Sequence, residues 1–270
     1  MTDTNCLCGE NMSSELPPTH SERVTMELLA ETEPAISNAL NGLGDHMTKR
    51  IEDMYYFYAA KHIHDTMDAF IVLRDEHRLD GARLLVRPAL EAMLKLRAVR
   101  SKPELLYRAL LADNRELDKW FSSVARRHNV AYTPIVERAQ WADFKARCVG
   151  QFGAENLDDD TPLSAYDAAK AIGIEHYYDT HYRGFGHYRH GLLEAISGSL
   201  NELIDPEASR VILQSAKTAL EALNHLGADI PNLKSLEERA VEILNKKPDK
   251  LFRQKPGNPA AGEGVDHRAR

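Results

Sequence analysis

Apolar side chains recur at every third or fourth position through most of the chain, which is the period of an α-helix that buries one face. No stretch alternates with the period of two that marks a β-strand. The pattern therefore predicts an all-α fold. The predicted helices cover roughly residues 21–44, 46–76, 81–100, 101–128, 135–149, 162–172, 175–203, 205–226 and 235–245.

Short sequence signals place the starts of three of these helices. A serine followed three residues later by a glutamate, the capping-box pattern, occurs at Ser101–Glu104 and again at Ser235–Glu238. Asp205 with Pro206 is expected to begin another helix, because proline is favoured in the first helical turn.

The ends of the chain lack this periodicity. Residues 1–20 are polar and contain two adjacent prolines, and residues 247–270 combine proline, glycine and mixed charge. Both ends are predicted to be disordered. The remaining residues, 21–246, are numerous enough to bury a sizeable core and are predicted to form a helical domain.

Residues 175–203 carry the sharpest chemical signal, because one face of their predicted helix combines a cation, two imidazoles and a carboxylate. That face consists of Arg183, His187, His190 and Glu194. Another face carries Phe185 and several leucines and is expected in the core. A second interpretation starts the helix near Tyr188 and leaves residues 183–187 as an entry loop.

Arg183 and His190 fit the requirements of a ribonuclease that works without a metal. Such an enzyme needs a base near neutral pH to take the proton of the ribose 2′-hydroxyl, and histidine titrates in that range. It also needs a fixed cation beside the phosphorus in the transition state, which an arginine supplies. His187 lies one helical turn from each and is expected to assist.

Charge and composition exclude several classes of protein. A net charge of −7 excludes a surface that is basic throughout, although residues 74–127 contain 13 Lys and Arg against 8 Asp and Glu. That local surplus is consistent with a polyanion groove, and a solvated helix face gives the same count. The chain shows no signal-peptide core and no apolar run of the roughly 20 residues that span a membrane. These features predict a cytoplasmic protein with no membrane association.

The sequence gives no sign of a cofactor or of a reactive thiol. It contains no phosphate loop, nucleophile elbow or dinucleotide fingerprint, so no cofactor is expected. Three cysteines are too few for a disulfide framework. Cys148 has no histidine at a telling spacing, and it is not expected to act as a nucleophile.

The motif Arg183-GFGHYR-His190 resembles the HEPN superfamily, in which an arginine and a histidine are separated by four to six residues on a helix of an all-α domain. The resemblance implies a HEPN-like helical bundle with additional helices. It implies a metal-independent endoribonuclease of a toxin–antitoxin or antiviral defence system, with RNA and an antitoxin or defence protein as partners. It also implies a homodimer in which the motif helices pair. Gly184 departs from the family, which often has a polar residue after the arginine.

A second resemblance covers more of the chain. The segment Arg87-Pro-Ala-Leu-Glu91-Ala, followed about a hundred residues later by Tyr182-Arg183 and His190, is similar to a widespread family of uncharacterised bacterial helical domains. The characteristic residues of that family match Arg87, Glu91, Tyr182, Arg183 and His190 here, and we expect Arg87, Glu91 and Tyr182 to bind substrate or to orient the catalytic residues. We expect Arg87 and Glu91 to orient Arg183 or His190 across a helix interface. Arg83, Arg87 and Glu91 also follow at intervals of four, so an intrahelical ion pair is the simpler interpretation.

Two other functions stay open from the sequence. In a non-catalytic scaffold or partner-binding module, Arg87, Glu91, Arg183 and His190 would form a buried polar network that holds three helices together. In a metal-binding bundle, the ligands would come from His62, His64, Asp65, Asp68, Glu91, His187, His190 and Glu194. Carboxylate-bridged metal bundles usually contain Glu-x-x-His on two helices, and this chain has no such sequence. No metal is therefore expected, and His62 and His64 are expected at the surface.

Overall fold

A computed structural model describes residues 19–44, 50–134, 136, 138–153, 161–188 and 201–246. Throughout these residues the regular structure is helical, which confirms the all-α fold. In chain order the elements are α1 (His20–Gly44), α2 (Ile51–Asp75), α3 (Leu79–Ser101), a 3₁₀ turn (Pro103–Leu105), α4 (Leu106–Arg127), α5 (Arg138–Phe152), α6 (Ala165–Ala171), α7 (Glu175–Tyr177), a π turn (Tyr178–Tyr182), α8 (Arg183–Tyr188), α9 (Asn201–His225) and α10 (Leu233–Asn245).

Three long helices, α2, α3 and α9, pack against one another and form the centre of the bundle. Helix α1 lies against α9 and α2, and α10 closes the same side against α9 and α1. Each helix turns the apolar stripe seen in its sequence towards this centre, because residues three or four apart share a face. The fully buried side chains include Leu28, Ile36, Ile63, Met67, Phe70, Leu90, Met93, Leu94, Val211 and Ile212.

A cluster of ion pairs, largely shielded from solvent, joins four of these helices. Asp205 of α9 accepts two hydrogen bonds from Arg83 of α3, from Nε at 2.7 Å and from Nη2 at 3.0 Å. Arg74 of α2 lies 3.3 Å from the same carboxylate and also binds Glu22 of α1. The Arg83 side chain is 5% exposed. Arg83 also lies 2.8 Å from Asp80 one turn earlier, so it joins an acid of its own helix to Asp205 of α9.

The expected start of a helix at Ser101 is wrong. Ser101 is the last residue of α3, and Lys102 after it has an extended backbone with φ −137° and ψ 84°. Proline disfavours the helical region for the residue before it, so Pro103 ends α3 at this point. The 3₁₀ turn begins at Pro103 and has no side-chain cap.

The other two expected starts are also misplaced. Helix α9 begins at Asn201, so Asp205 and Pro206 lie inside it, and Asp205 binds arginines instead of capping the helix. Helix α10 begins at Leu233, before the serine of the capping-box pattern, and Asn232 precedes it in the left-handed region with φ 59°. By contrast, Asn245 ends α10 as predicted.

Helices α4 and α5 form a smaller hydrophobic cluster beside the bundle. Tyr107 and Leu111 of α4 pack against Phe144 and Cys148 of α5, and Trp141 meets the Tyr107 ring edge-on at 6.0 Å. The π turn and α8 pack on α3, which places Tyr182 beside Arg87 and Glu91.

In the part of the chain that the structure describes, none of the helices combines the length and the apolar composition that a membrane span needs. The ends predicted to be disordered, residues 1–20 and 247–270, lie outside the described ranges except for Thr19 and His20, and His20 is the first residue of α1.

Candidate functional site

The segment that carries the motif is helical up to Tyr188, so the interpretation of residues 183–187 as an entry loop is wrong. Phe185 is 7% exposed and belongs to the main core, as its position in the pattern predicted. A π turn interrupts the helix at Tyr178–Tyr182. A π turn holds one residue more than an α turn and so shifts the direction of every side chain that follows.

Tyr178 and Tyr182, at the two ends of the π turn, stack on each other. Their ring centroids are 4.7 Å apart and their planes are inclined by 17°. The Tyr166 ring of α6 meets Tyr178 edge-on at 5.4 Å. Three tyrosines therefore form a continuous aromatic group that fixes the π turn against α6 and α3.

Tyr182 joins the two polar residues of α3 that sequence analysis assigned to the site. Arg87 donates a hydrogen bond from Nη2 to the Tyr182 hydroxyl at 3.0 Å, and that hydroxyl donates to Glu91 Oε2 at 3.1 Å. The Arg87 guanidinium also lies over the Tyr182 ring, 4.5 Å from its centroid. Burial raises the pKa of Tyr182, so the phenol keeps the proton that it donates.

The network continues from Glu91 to helix α4. Lys95 lies 3.0 Å from Glu91 Oε1 and 3.3 Å from Asp113. Burial alone would lower the pKa of Lys95, but the attraction of Asp113 and Glu91 outweighs it and raises that pKa. The chain of contacts thus links the π turn, α3 and α4 through groups of alternating charge.

Arg183 does not take part in this network. Its Nε lies 3.2 Å from Asp179 one turn earlier, and its guanidinium lies 5.8 Å from the centroid of the Tyr178 ring. The Arg183 side chain is 66% exposed. Arg87 and Glu91 therefore contact Tyr182 and do not contact Arg183. The other half of the expectation, that they orient His190, lies outside the described residues.

The histidines of the motif lie at the limit of the described residues. The backbone of His187 belongs to α8. The His187 side chain, and His190 and Glu194 entirely, lie outside what the structure describes. Their proposed roles as base and assisting group stay predictions.

A histidine that sequence analysis passed over links the π turn to α9. His181 stacks on Tyr177 with centroids 4.1 Å apart, and its Nε2 lies 3.3 Å from Glu207 Oε2. The hydrogen bond from His181 lowers the pKa of Glu207. His181 lies two residues before Arg183, and that position alone gave no indication of its partner on another helix.

The other expectations about chemistry concern metals and the thiol. No group of three potential metal ligands occurs among the described residues. His64, expected at the surface, is largely covered and lies 2.9 Å from Glu33 of α1, whereas His62 is exposed. Burial raises the pKa of Cys148 to about 11, which keeps this thiol protonated and unreactive.

A cavity of about 430 Å³ lies apart from the motif residues. Its walls come from the ends of α3 and α9, the first turns of α2 and the 3₁₀ turn, and the lining residues are Tyr56, Arg97, Arg100, Ser101, Pro103, Glu221 and His225. The helix dipole favours a cation in the last turn of α3, where Arg100 lies, and Arg100 pairs with Glu221 of α9 at 2.8 Å, so the charged groups of this cavity have a structural explanation. We therefore place the candidate site at Arg183 and not in this cavity.

Comparison with known proteins identifies a family. Neither the curated proteins nor the solved structures include a match. The profile of DUF5677, described as a family of unknown function, matches residues 53–208, a range that contains Arg87, Glu91, Tyr182, Arg183 and His190. The match covers more than half of the chain, and the protein therefore belongs to the DUF5677 family.

Proposed function

We propose that this protein is a metal-independent endoribonuclease of the HEPN type. Arg183 binds the scissile phosphate and stabilises the charge that develops in the transition state. His190 removes the proton of the ribose 2′-hydroxyl, and His187 assists. RNA is the substrate, and a homodimer within a defence or toxin–antitoxin system is the working form.

The observation that carries this proposal is the position of Arg183. An arginine that only held the fold would be buried or paired on several sides, whereas this guanidinium is 66% exposed and has Asp179 as its one carboxylate neighbour among the described residues. The Tyr178 ring below it and Asp179 beside it limit its orientations. A restrained and accessible guanidinium matches the forked geometry with which arginine binds phosphate oxygens.

The neighbouring network gives Arg183 a rigid support. Tyr178 lies under Arg183 and stacks on Tyr182, and Tyr182 is held by Arg87 and Glu91. In this proposal the positioning residues are Arg87, Glu91 and Tyr182. They act on Arg183 indirectly, through the stacked rings of Tyr182 and Tyr178. Preorganised charge near the transition state is what such a site requires.

The test is cleavage of labelled transfer RNA and total RNA in EDTA. The wild type is expected to produce 2′,3′-cyclic phosphate ends. Arg183→Ala and His190→Ala are each expected to lower the rate by at least 10²-fold, the usual range for loss of a transition-state contact. Arg183→Lys should restore only part of the rate, because an ammonium cannot bind two oxygens in a fork.

Arg78→Ala is the matched control. The Arg78 side chain is 70% exposed and has a single acidic neighbour, Glu76 at 3.9 Å, so it resembles Arg183 in exposure and pairing. Its removal should leave cleavage unchanged. Absence of cleavage by the wild type on every RNA, or equal cleavage by wild type and Arg183→Ala, would contradict the proposal.

A second function is favoured by the network itself. The contacts from Arg87 through Tyr182, Glu91 and Lys95 to Asp113 connect three elements, as a scaffold or partner-binding module requires. Arg183 is outside that network, so its truncation should change the melting temperature little under either function. The cleavage assay therefore distinguishes the ribonuclease from the scaffold. A loss of stability in Arg87→Ala does not, because both functions predict it.

A further inference from the structure

The second half of helix α4 carries an uncovered apolar stripe. Leu117, Trp120, Phe121 and Val124 follow at the spacing of one helix face, and their exposed fractions are 48%, 59%, 39% and 37%. Trp120 and Phe121 contact each other, with ring centroids 4.6 Å apart. Scattered exposed apolar residues are common, but a continuous stripe that includes a tryptophan marks an interaction surface.

The same helix is well covered in its first half. Leu106 and Ala109 are buried in the main core, and Tyr107 and Leu111 pack against α5. The ion pair of Asp113 with Lys95 ties α4 to α3 just before the stripe. The apolar stripe begins after Asp113 and lies on the same side of α4 as the buried Leu106 and Ala109. The stripe therefore continues the packing face of α4 past the end of the bundle.

The charges of α4 argue against nucleic acid as the partner of this stripe. A surface that binds single strands combines aromatic rings with cations along the same groove. Here Arg115, Lys119 and Arg126 share one face of α4, and an advance of 100° per residue places that face roughly 170° from the stripe. The aromatic pair and these three cations therefore cannot contact one strand together, and of the cations in this half of α4 Arg127 alone lies near the stripe.

The ends of the stripe carry opposite charges, which suits a second copy of the same helix. The apolar positions are symmetric about the point between Trp120 and Phe121, with Asp113 beyond one end and Arg127 beyond the other. An antiparallel pair brings the acidic end of each helix beside the basic end of its partner, whereas a parallel pair brings like charges together. A twofold axis at the centre makes the surface self-complementary.

We propose that the stripe is a homodimer interface in which two α4 helices pack antiparallel, with Trp120 and Phe121 at the twofold axis. Val130, 60% exposed just beyond the helix, extends the apolar surface. One face of two to three helical turns buries less than the roughly 800 Å² per partner of a standard interface. The dimer should therefore dissociate in the range of about 1–100 μM. This inference does not depend on the proposed ribonuclease activity.

The first test is sedimentation of the full-length protein over a concentration range that spans this dissociation. The wild type should show a monomer–dimer equilibrium, and Trp120→Glu should stay monomeric or dissociate at least tenfold more readily. Ser123→Glu introduces the same side chain on an exposed position about 110° from the stripe and should dimerise like the wild type. Unchanged melting temperatures of both variants at low concentration would show that each is folded.

The second test reports the orientation. In a background with Cys6→Ser and Cys8→Ser, we would mix a Leu117→Cys protein with a Val124→Cys protein and oxidise the mixture. These positions lie on the same face at equal distances from the proposed twofold axis, so an antiparallel pair places them opposite each other. The mixed disulfide should therefore form faster than either homodisulfide.

Three results would overturn the proposal: a monomer at every concentration, a dimer that Trp120→Glu does not weaken, or dominant homodisulfides. A monomer that binds oligouridylate through Trp120 would assign the stripe to nucleic acid.

Discussion

The clearest test of the polar network is the removal of a single oxygen atom, by Tyr182→Phe. The Tyr182 hydroxyl accepts from Arg87 and donates to Glu91, whereas the ring separately stacks on Tyr178 and contacts the Arg87 guanidinium. Phenylalanine keeps the ring and removes both hydrogen bonds. The change therefore isolates the polar contribution from the aromatic one.

The expected loss of stability follows from the two bonds and from their exposure. A hydrogen bond to a charged partner contributes about 1.5–3 kcal/mol when the site is dry. Glu91 is 37% exposed, so water replaces part of what is lost. Arg87 and Glu91 are also four residues apart on α3 and can pair directly, which restores about 0.2–0.5 kcal/mol. We therefore expect Tyr182→Phe to cost about 1–2 kcal/mol, or roughly 2–8 °C in melting temperature.

Calorimetry and urea unfolding would measure this loss, with Tyr166→Phe as the control. Tyr166 belongs to the same aromatic group through Tyr178, but its hydroxyl makes no hydrogen bond with another described residue. Its removal should cost less than about 0.5 kcal/mol. Tyr182→Phe combined with Glu91→Ala should cost less than the sum of the two, because both remove the same bond. Equal stabilities of the two phenylalanine variants would refute the reasoning.

Three further predictions concern positions outside the network. Gly184→Ala should stabilise the monomer by about 0.5–1 kcal/mol in thermal unfolding, because no described atom lies within 4 Å of the added methyl. A loss of stability that occurs only at high protein concentration would mean that a second copy of the protein packs against Gly184. In a Cys6→Ser/Cys8→Ser background, Cys148 of the folded protein should react with a thiol reagent at pH 8 on the order of 10²-fold more slowly than Cys148 of the urea-unfolded protein, because burial raises its pKa to about 11. Similar rates in the two states would contradict this prediction. Glu207 has a lowered pKa, so its contribution is complete above its ordinary pKa of 4.5 and is lost as the pH falls below it. Melting temperatures between pH 6 and pH 3 should therefore fall less steeply in Glu207→Gln than in the wild type, and identical slopes would contradict this.

The sequence was sufficient for the fold class because helix periodicity reports burial, and burial decides the fold. It was less informative about helix boundaries. Ser101 and Glu104 matched a capping box, but Pro103 between them forces Lys102 out of the helical region and ends the helix there. Asp205 matched a cap as well, but Arg83 and Arg74 offer it a stronger, largely buried partnership. A local pattern cannot register a partner more than 100 residues away.

In the candidate site, too, the sequence predicted some contacts between helices and missed others. Arg87, Glu91 and Tyr182 do meet, as the second resemblance implied. His181 was missed because its partner, Glu207, lies on another helix. A helical wheel gives the face on which a residue lies, but it gives no information about which helix lies opposite.

The separation of Tyr182 from Arg183, by contrast, follows from helix geometry alone. Neighbouring residues on a helix point about 100° apart, so a chain that turns Tyr182 and Phe185 towards α3 and the core must turn Arg183 away from both. A buried network that includes Arg183 together with Glu91 is therefore excluded by the burial of Phe185. The rotation that removes Arg183 from the structural network thus leaves its guanidinium on the exposed side of α8. That position is the one that the proposed contact with a phosphate requires.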